Sequence, residues 1–480
     1  MRTSNVVLHA CAASAGRLRV WLGVRERTTA PALSWSLDGQ LAQPATLRPI
    51  QSVRSGPFLG GDSPRVFAGL YEFPVAADAP RAFRVGVSVD GAPPVTASLR
   101  AIPRAVPTGL GEGFQLMLAS CFYWEEDKGG VASLSMDSIL RGTTPDMLLL
   151  LGDQVYLDLP PLKNLPEARP ALARKFEQDY ARNWFDDGAY AKVVHAAPYA
   201  CVPDDHDYWN NFPMPSVQSQ NTWTGAGRAA WRDIARMLYG HFQHVDPTPV
   251  GTPVQLEVDP LSIFLLDARS WRDLEFQFTM TPAAREALGD WVSRCIRERR
   301  LGIFITGQSL LAPTAGALNR RFGDSTMDNY ADFRFLCGQL DRLMREAGDV
   351  MLITGDVHWG RIVRLNPRDA LDSGMQMIEV TSSPTSLVTT PLRDPLAKAK
   401  ADKRDPWPRH SDAKPVGDVV ELQGARSSFL ANTLYRHRGN QVCILSFRRR
   451  GDSLEVTPRY FPLRPGDALA TATPFVLRHR

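Results

Sequence analysis

The chain has 480 residues, 55 Lys+Arg against 51 Asp+Glu for a formal net charge of +4, and 44% hydrophobic and 22% charged residues. That balance fits a globular protein of two or three domains and excludes a low-complexity or collagen-like chain. The arginine clusters at 297–300 and 448–450 are too short for a nucleic-acid stripe, and no apolar run nears the roughly 18 residues of a membrane span.

At the N-terminus, MRTSNVVLHACAASAG has a short apolar stretch broken by His9, so it reads as a first strand rather than a secretory leader. The six cysteines at 11, 121, 201, 295, 337 and 443 form no C-x-x-C pair, which favours a reduced, cytoplasmic location. Up to residue 108 the grammar is β. RLRVWLGVR, ALSWSLDG, RVFAGLYEFPV, RAFRVGVSVDG and VTASLRAI are short, often alternating segments separated by Asp-Gly and Pro-containing turns. They predict a small all-β, immunoglobulin- or fibronectin-like sandwich over 1–108. The Pro- and Gly-rich IPRAVPTGLGEG, 102–113, reads as the linker to a second region, 109–480.

Beyond the linker, apolar runs of four to six residues alternate with amphipathic segments, the pattern of an α/β or α+β fold with buried strands. Helices are predicted over 170–185, 226–239, 282–299 and 331–346, two of them opened by Pro in the first turn. The Pro- and charge-rich segment 391–415 reads as a long loop or lid.

What ends each apolar run is the informative feature. FQLMLAS ends in Cys121, DMLLLLG in Asp153 with Tyr156 close behind, and YACVP in Asp204-Asp205-His206. LSIFLL ends in Asp267 with Arg269, LGIFITG in Gln308-Ser309, VMLITG in Asp356 with His358, and MIEV in Thr381-Ser382-Ser383. Strands of α/β sheets deliver functional groups from their carboxyl ends, so these tails are candidates for one rim. Asp153, Asp356 and the Asp204/Asp205/Asp207 group offer hard oxygens, Asn210 and Asn211 neutral ones. His358 and His206 add imidazole, Tyr156 a phenolate and Cys121 a thiolate. Clustered carboxylates repel one another unless cations sit between them. Two cations sharing a carboxylate suit displacement at phosphorus.

The ordered set GDQVY (152–156), DDHDYWNN (204–211), LLDARSW (265–271), TGDVHWG (354–360) and EVTSSP (379–384), with the SC pair at 120–121, resembles the PhoD-like metallophosphatases. The resemblance implies a member of the calcineurin-like, purple-acid-phosphatase-like group. Its expected fold is a four-layer αββα sandwich behind the β-sandwich, and its expected activity hydrolysis of phosphomonoesters or phosphodiesters by a metal-bound hydroxide. It further implies Asp153 as bridging carboxylate, with Cys121, Tyr156 and His358 on a trivalent iron. Asp205, Asn211 (with Asn210 a weaker candidate) and Asp356 would then form an oxygen-rich second site. Such a site suits Ca²⁺, with Mn²⁺, Mg²⁺ or Zn²⁺ as alternatives. His206 would act on the leaving group, and Arg182 and Arg269 would grip phosphate oxygens.

The expected partner is a phosphate-ester small molecule or lipid headgroup, with no specific nucleic acid. The alternatives are a phospholipase D-like phosphodiesterase and a degenerate, non-catalytic binding protein. The N-terminus departs from secreted relatives in lacking a twin-arginine signal. Asp267 with Arg269 also reads as a structural ion pair, and His241 with His244 imitates a metal pair without a carboxylate partner at a strand end.

Overall fold

The computed structural model describes residues 4–480 except 62, 77–81, 109–110, 112, 128–129, 161–164, 189, 312–324, 387–417, 438 and 464–468. The expected 391–415 lid therefore lies outside the described residues.

Two large mixed sheets organise the chain, giving an α+β fold. The first is centred on three parallel strands, Phe114–Ala119, Met147–Leu151 and Tyr199–Val202. All are wholly buried, which is why they read as unbroken apolar runs rather than alternating ones. The second is centred on parallel Leu261–Leu265, Leu301–Ile305, Val350–Thr354 and Met377–Thr381. One core joins alternate residues of both sheets, among them Leu149, Leu151, Val202, Ile263, Ile303, Ile353 and Val380. The opposite faces are covered by helices. Arg169–Phe185 and Gly225–Phe242 pack on the first sheet, and Pro282–Glu298 and Phe333–Glu346 on the second.

All four predicted helices are present, shifted by one to three residues at their ends. Thr224 caps the second by accepting from the Gly227 N–H at 3.1 Å, and Thr281 caps the third through Ala284 at 3.0 Å.

The region before residue 108 joins the first sheet. Val6–Cys11 pairs in parallel with Tyr199–Val202, and Arg17–Arg27, Arg65–Pro74 and Ala45–Ser52 extend the sheet beyond it. The boundary expected at 108 thus falls within one continuous sheet. A third, four-stranded sheet (Gln40–Ala42, Leu33–Leu37, Ala82–Val89, Val95–Arg100) shares a separate core with these strands, with Leu18, Val20, Leu22, Trp35, Val85 and Val87 at its centre. Among the described residues, no helix is long and apolar enough to cross a membrane.

Candidate metal centre

The strand tails singled out in the sequence meet. Ligand atoms of Asp153, Asp204, Asp205 and Asp356 all lie within 4.8 Å of one another, and His206 groups likewise with Asp153 and Asp205. Asp153 Oδ2 is the focus: the Cys121 thiol approaches it at 3.5 Å and the Tyr156 hydroxyl at 3.4 Å. The tail of Met377–Thr381 arrives through Ser383, whose hydroxyl donates to Cys121 Sγ at 3.2 Å. That of Leu301–Ile305 arrives through Gln308, whose amide donates to Asp356 Oδ2 at 3.3 Å. Asn211 Oδ1 accepts from the Ser325 N–H at 3.1 Å and keeps a second lone pair, while its Nδ2 is buried without a partner among the described residues. Asn210 enters by its backbone, which donates to Asp158.

Glycine lets the two sheets close this tightly. A Cβ on Gly152, whose φ is +92°, would sit 2.5 Å from the Asp204 Cβ. One on Gly355 would fall on the Leu151 carbonyl oxygen of the opposite sheet. Beyond these glycines the backbone is strained. Of the ten non-glycine residues described with positive φ, five are Cys121, Asp153, Asn211, Asp356 and His358. Each left-handed residue costs on the order of 1 kcal/mol and persists only where its surroundings dictate it.

Asp207 supplies much of that dictation. Its carboxylate accepts from the backbone N–H of Asp153 at 2.9 Å and of Asp204 at 3.0 Å, and from the Gln243 side chain at 2.8 Å.

The electrostatics are those of a donor set built around positive charge. Burial, together with Asp205, Asp204 and Asp207, pushes the Asp153 carboxyl well above the usual carboxylate range, although His206 opposes this. Burial and Asp153 likewise push the Cys121 thiol and Tyr156 hydroxyl up. Burial and the nearby His206 bring His358 down to about 4. Burial also works against ionised Asp205, yet His206 and Arg269 hold it below its ordinary value. Ionising Cys121, Tyr156 and Asp153 together in a buried volume requires cations. The residues present therefore fit a metal centre, offering sulfur, phenol and imidazole together with carboxylate and amide oxygens.

His206 carries a partner that the sequence reading did not single out. Its Nδ1 lies 2.8 Å from Asp158 Oδ1, and its ring packs on Tyr156 with centroids 4.4 Å apart. Burial alone would lower its pKa, but Asp158 and Asp205 raise it well above 6.5. Asp158 ends no apolar run, so only the tertiary contact reveals it.

Two expectations change. Arg269 is 1% exposed, and its guanidinium donates to Asp204 at 2.6 Å and to the Phe212 carbonyl at 3.2 Å. Its guanidinium is thus held against Asp204, itself one of the clustered carboxylates. It pairs with Asp204, while Asp267 accepts from the backbone N–H groups of Arg269 and Ser270. Arg182 stacks on Trp124 at 4.2 Å, on the wall of a pocket that Tyr156 also lines. The His244 Nε2–H donates to the Thr248 carbonyl, 2.8 Å away, and His241 is buried beside Arg48. Neither joins the centre.

An α+β fold whose strand ends gather carboxylates with a thiol, a phenol and imidazoles is the build of a metal-dependent phosphoesterase. The chain belongs to the PhoD-like phosphatase family, whose model matches residues 116–417, more than half its length. No curated protein matches it. Among solved structures it is similar to PhoD, with 12% identity, a TM-score of 0.61, and 98% of this chain and 91% of that one covered; this likeness shows the fold. A weaker likeness, TM-score 0.37 and 12% identity over 75% of this chain and 89% of the other, is to GAP50, the anchor in the inner membrane complex of Plasmodium.

Proposed function

We propose that the chain hydrolyses phosphomonoesters, phosphodiesters or both at a two-cation centre, within a four-layer αββα arrangement preceded by a β-sandwich. One observation carries this reading: tails from both sheets place Asp153, Asp204, Asp205 and Asp356 within 4.8 Å, with Cys121 and Tyr156 on Asp153. Cys121, Tyr156, His358 and Asp153 would hold Fe³⁺. Asp153, Asp205, Asn211 and Asp356 would hold Ca²⁺, with Mn²⁺, Mg²⁺ or Zn²⁺ as alternatives. Bound cations supply Lewis acidity at the phosphoryl oxygens and a nucleophile near neutral pH.

The chain's own residues do the rest. Asp153 is the carboxylate common to both donor sets. His206, kept protonated by Asp158, gives its proton to the departing alcohol oxygen. Arg269 fixes Asp204 from below. Ser383 supports the Cys121 sulfur. The proposed substrate is a small phosphate ester or a lipid headgroup. The proposed cytoplasmic location rests on six cysteines that are all free and buried.

The purified chain should contain transition metal or calcium and hydrolyse nitrophenyl phosphates in a chelator-sensitive way. A metal-free, inactive protein would leave the non-catalytic alternative standing. Preference for bis- over mono-nitrophenyl phosphate would favour the phospholipase D-like alternative. Asp153→Asn should abolish turnover and lower metal content without unfolding the chain, and retained turnover would reject the shared-carboxylate role.

A further inference from the structure

A pocket of about 190 Å³ opens beside Tyr156, walled by Tyr123, Trp124, Lys175, Asp179, Arg182 and Asn183. Its two carboxylates each have a hydrogen-bond partner, though only Asp179 faces a cation. Lys175 Nζ lies 2.5 Å from Asp179, and the Tyr123 hydroxyl donates to Glu125 at 2.8 Å. Arg182 differs: its guanidinium lies over the Trp124 ring, 4.2 Å from the centroid, with no carboxylate partner among the described residues. Glu125, Lys175, Asp179 and Arg182 leave the lining with no net charge, and Arg182 is the cation there that makes no ion pair among the described residues. A guanidinium that lies over an indole ring engages it through its face, and its N–H edge remains able to take a two-oxygen anion bidentately. An adjoining cleft shares Gln178 and Arg182 and mixes Arg25, Arg65 and Arg174 with Glu26, Glu177 and Asp186.

A second polar group faces the same space. Asn183, 3% exposed, donates from Nδ2 to the Gln154 carbonyl at 2.8 Å, but its Oδ1 is buried with no donor among the described residues. A buried acceptor left unmatched is costly unless a ligand supplies the donor. Tyr156 forms the end of the pocket toward the metal centre, with its hydroxyl on Asp153. Whatever fills the pocket is thus continuous with the reacting phosphate.

We propose that Arg182, stacked on Trp124, anchors a second oxyanion carried by the alcohol portion of the substrate, and that Asn183 Oδ1 accepts from a hydroxyl of the same fragment. This rests on the phosphoester reading above. It assigns the pocket to hydroxylated alcohols bearing an extra acidic group, and makes Arg182 a specificity residue distant from the scissile phosphate.

The test uses the full, metal-loaded chain. Calorimetric titration should show glycerate binding about tenfold or more tighter than glycerol, and Arg182→Met should remove that advantage. Arg182→Lys, which keeps charge but not the planar fork, should restore it in part. Trp124→Leu should weaken it without touching any charge. In turnover, the kcat/KM ratio of 3-phosphoglycerate to glycerol 3-phosphate should collapse in Arg182→Met. Equal glycerate affinity in wild type and Arg182→Met, as expected if the carboxylate sits on the metals, overturns the proposal. Failure of the parent reading is separable. Hydrolysis of 4-nitrophenyl phosphate without Arg182-dependent glycerate binding removes the anchor and leaves the hydrolase. Glycerate binding through Arg182 without cleavage of any ester does the reverse.

Discussion

His206 illustrates how much of a residue's chemistry is set by a neighbour that sequence spacing does not reveal. Its position after an apolar strand and two aspartates marked it as a candidate, but a histidine buried against Tyr156 would ordinarily be neutral. The Asp158 carboxylate at 2.8 Å reverses that, and Asp158 is itself held by the Asn210 N–H at 2.8 Å. If His206 delivers its proton to the leaving group, removing the carboxylate should let the imidazole deprotonate at lower pH. Asp158→Asn is expected to move the alkaline limb of the kcat/KM profile toward acid and to lower activity by about 10- to 100-fold. His206→Ala, which removes the acid itself, should cost more, about 10²- to 10⁴-fold, least for good leaving groups and most for poor ones. An unchanged limb in Asp158→Asn would mean that Asp158 serves only the loop. The same distinction applies to Arg269: an arginine two residues past a strand tail looks exposed, and only the tertiary structure reveals its burial against Asp204.

At the scale of elements, the seven parallel strands whose tails were singled out were legible as apolar runs, each stopped by a polar residue. The glycines between run and donor looked like ordinary turn punctuation. The structure gives them a more specific role. Gly355 belongs to a strand tail of the second sheet, and the nearest atom to a Cβ placed there is the Leu151 carbonyl oxygen of the first. The two sheets touch here through bare backbone, and the separation of Asp356 from Asp153 is set by that contact. Gly355→Ala should force the tails apart, at about 1–3 kcal/mol for overpacking a site with no side chain free to yield. A lowered urea midpoint should accompany loss of metal from the oxygen-rich half of the site, while Cys121, Tyr156 and Asp153 stay on the first sheet's own tails. A variant with normal midpoint and full metal content would show that the sheets can shift without cost. The pairing of Val6–Cys11 with Tyr199–Val202 was not legible, because a parallel partner so distant in sequence leaves no local pattern.

That pairing shapes the whole molecule. The strands before residue 108 are roofed by the same helices that cover the metal-bearing part of the sheet. The Trp21 indole donates to the His241 carbonyl at 2.7 Å, Arg54 pairs with buried Glu177, and His9 hydrogen-bonds the Trp184 carbonyl at 3.0 Å. Neutral histidines are sealed into this seam. Burial, aided by His195, brings His9 down to about 3, and burial with Arg48 beside it brings His241 to about 3. In the unfolded chain both titrate near 6.5. Between pH 6.5 and about 3 the unfolded state therefore binds more protons than the native one, so stability is full above 6.5 and is lost as pH falls through that window. Each group contributes a slope of roughly 1.4 kcal/mol per pH unit where it is fully engaged. Asp127 and Asp207, both raised to about 6 by burial, act with the opposite sign below that value. Wild-type stability alone will therefore understate the histidine effect. The discriminating measurement is the difference in urea midpoint between wild type and the pair His9→Gln, His241→Gln from pH 7.5 to 4.5. Glutamine keeps a donor for the Trp184 carbonyl but cannot take up a proton. Whatever offset the substitutions impose at pH 7.5 should shrink steadily on acidification. An offset independent of pH would mean that the seam admits protonated imidazole, and that the N-terminal strands are less firmly joined to the sheet than its hydrogen bonding implies.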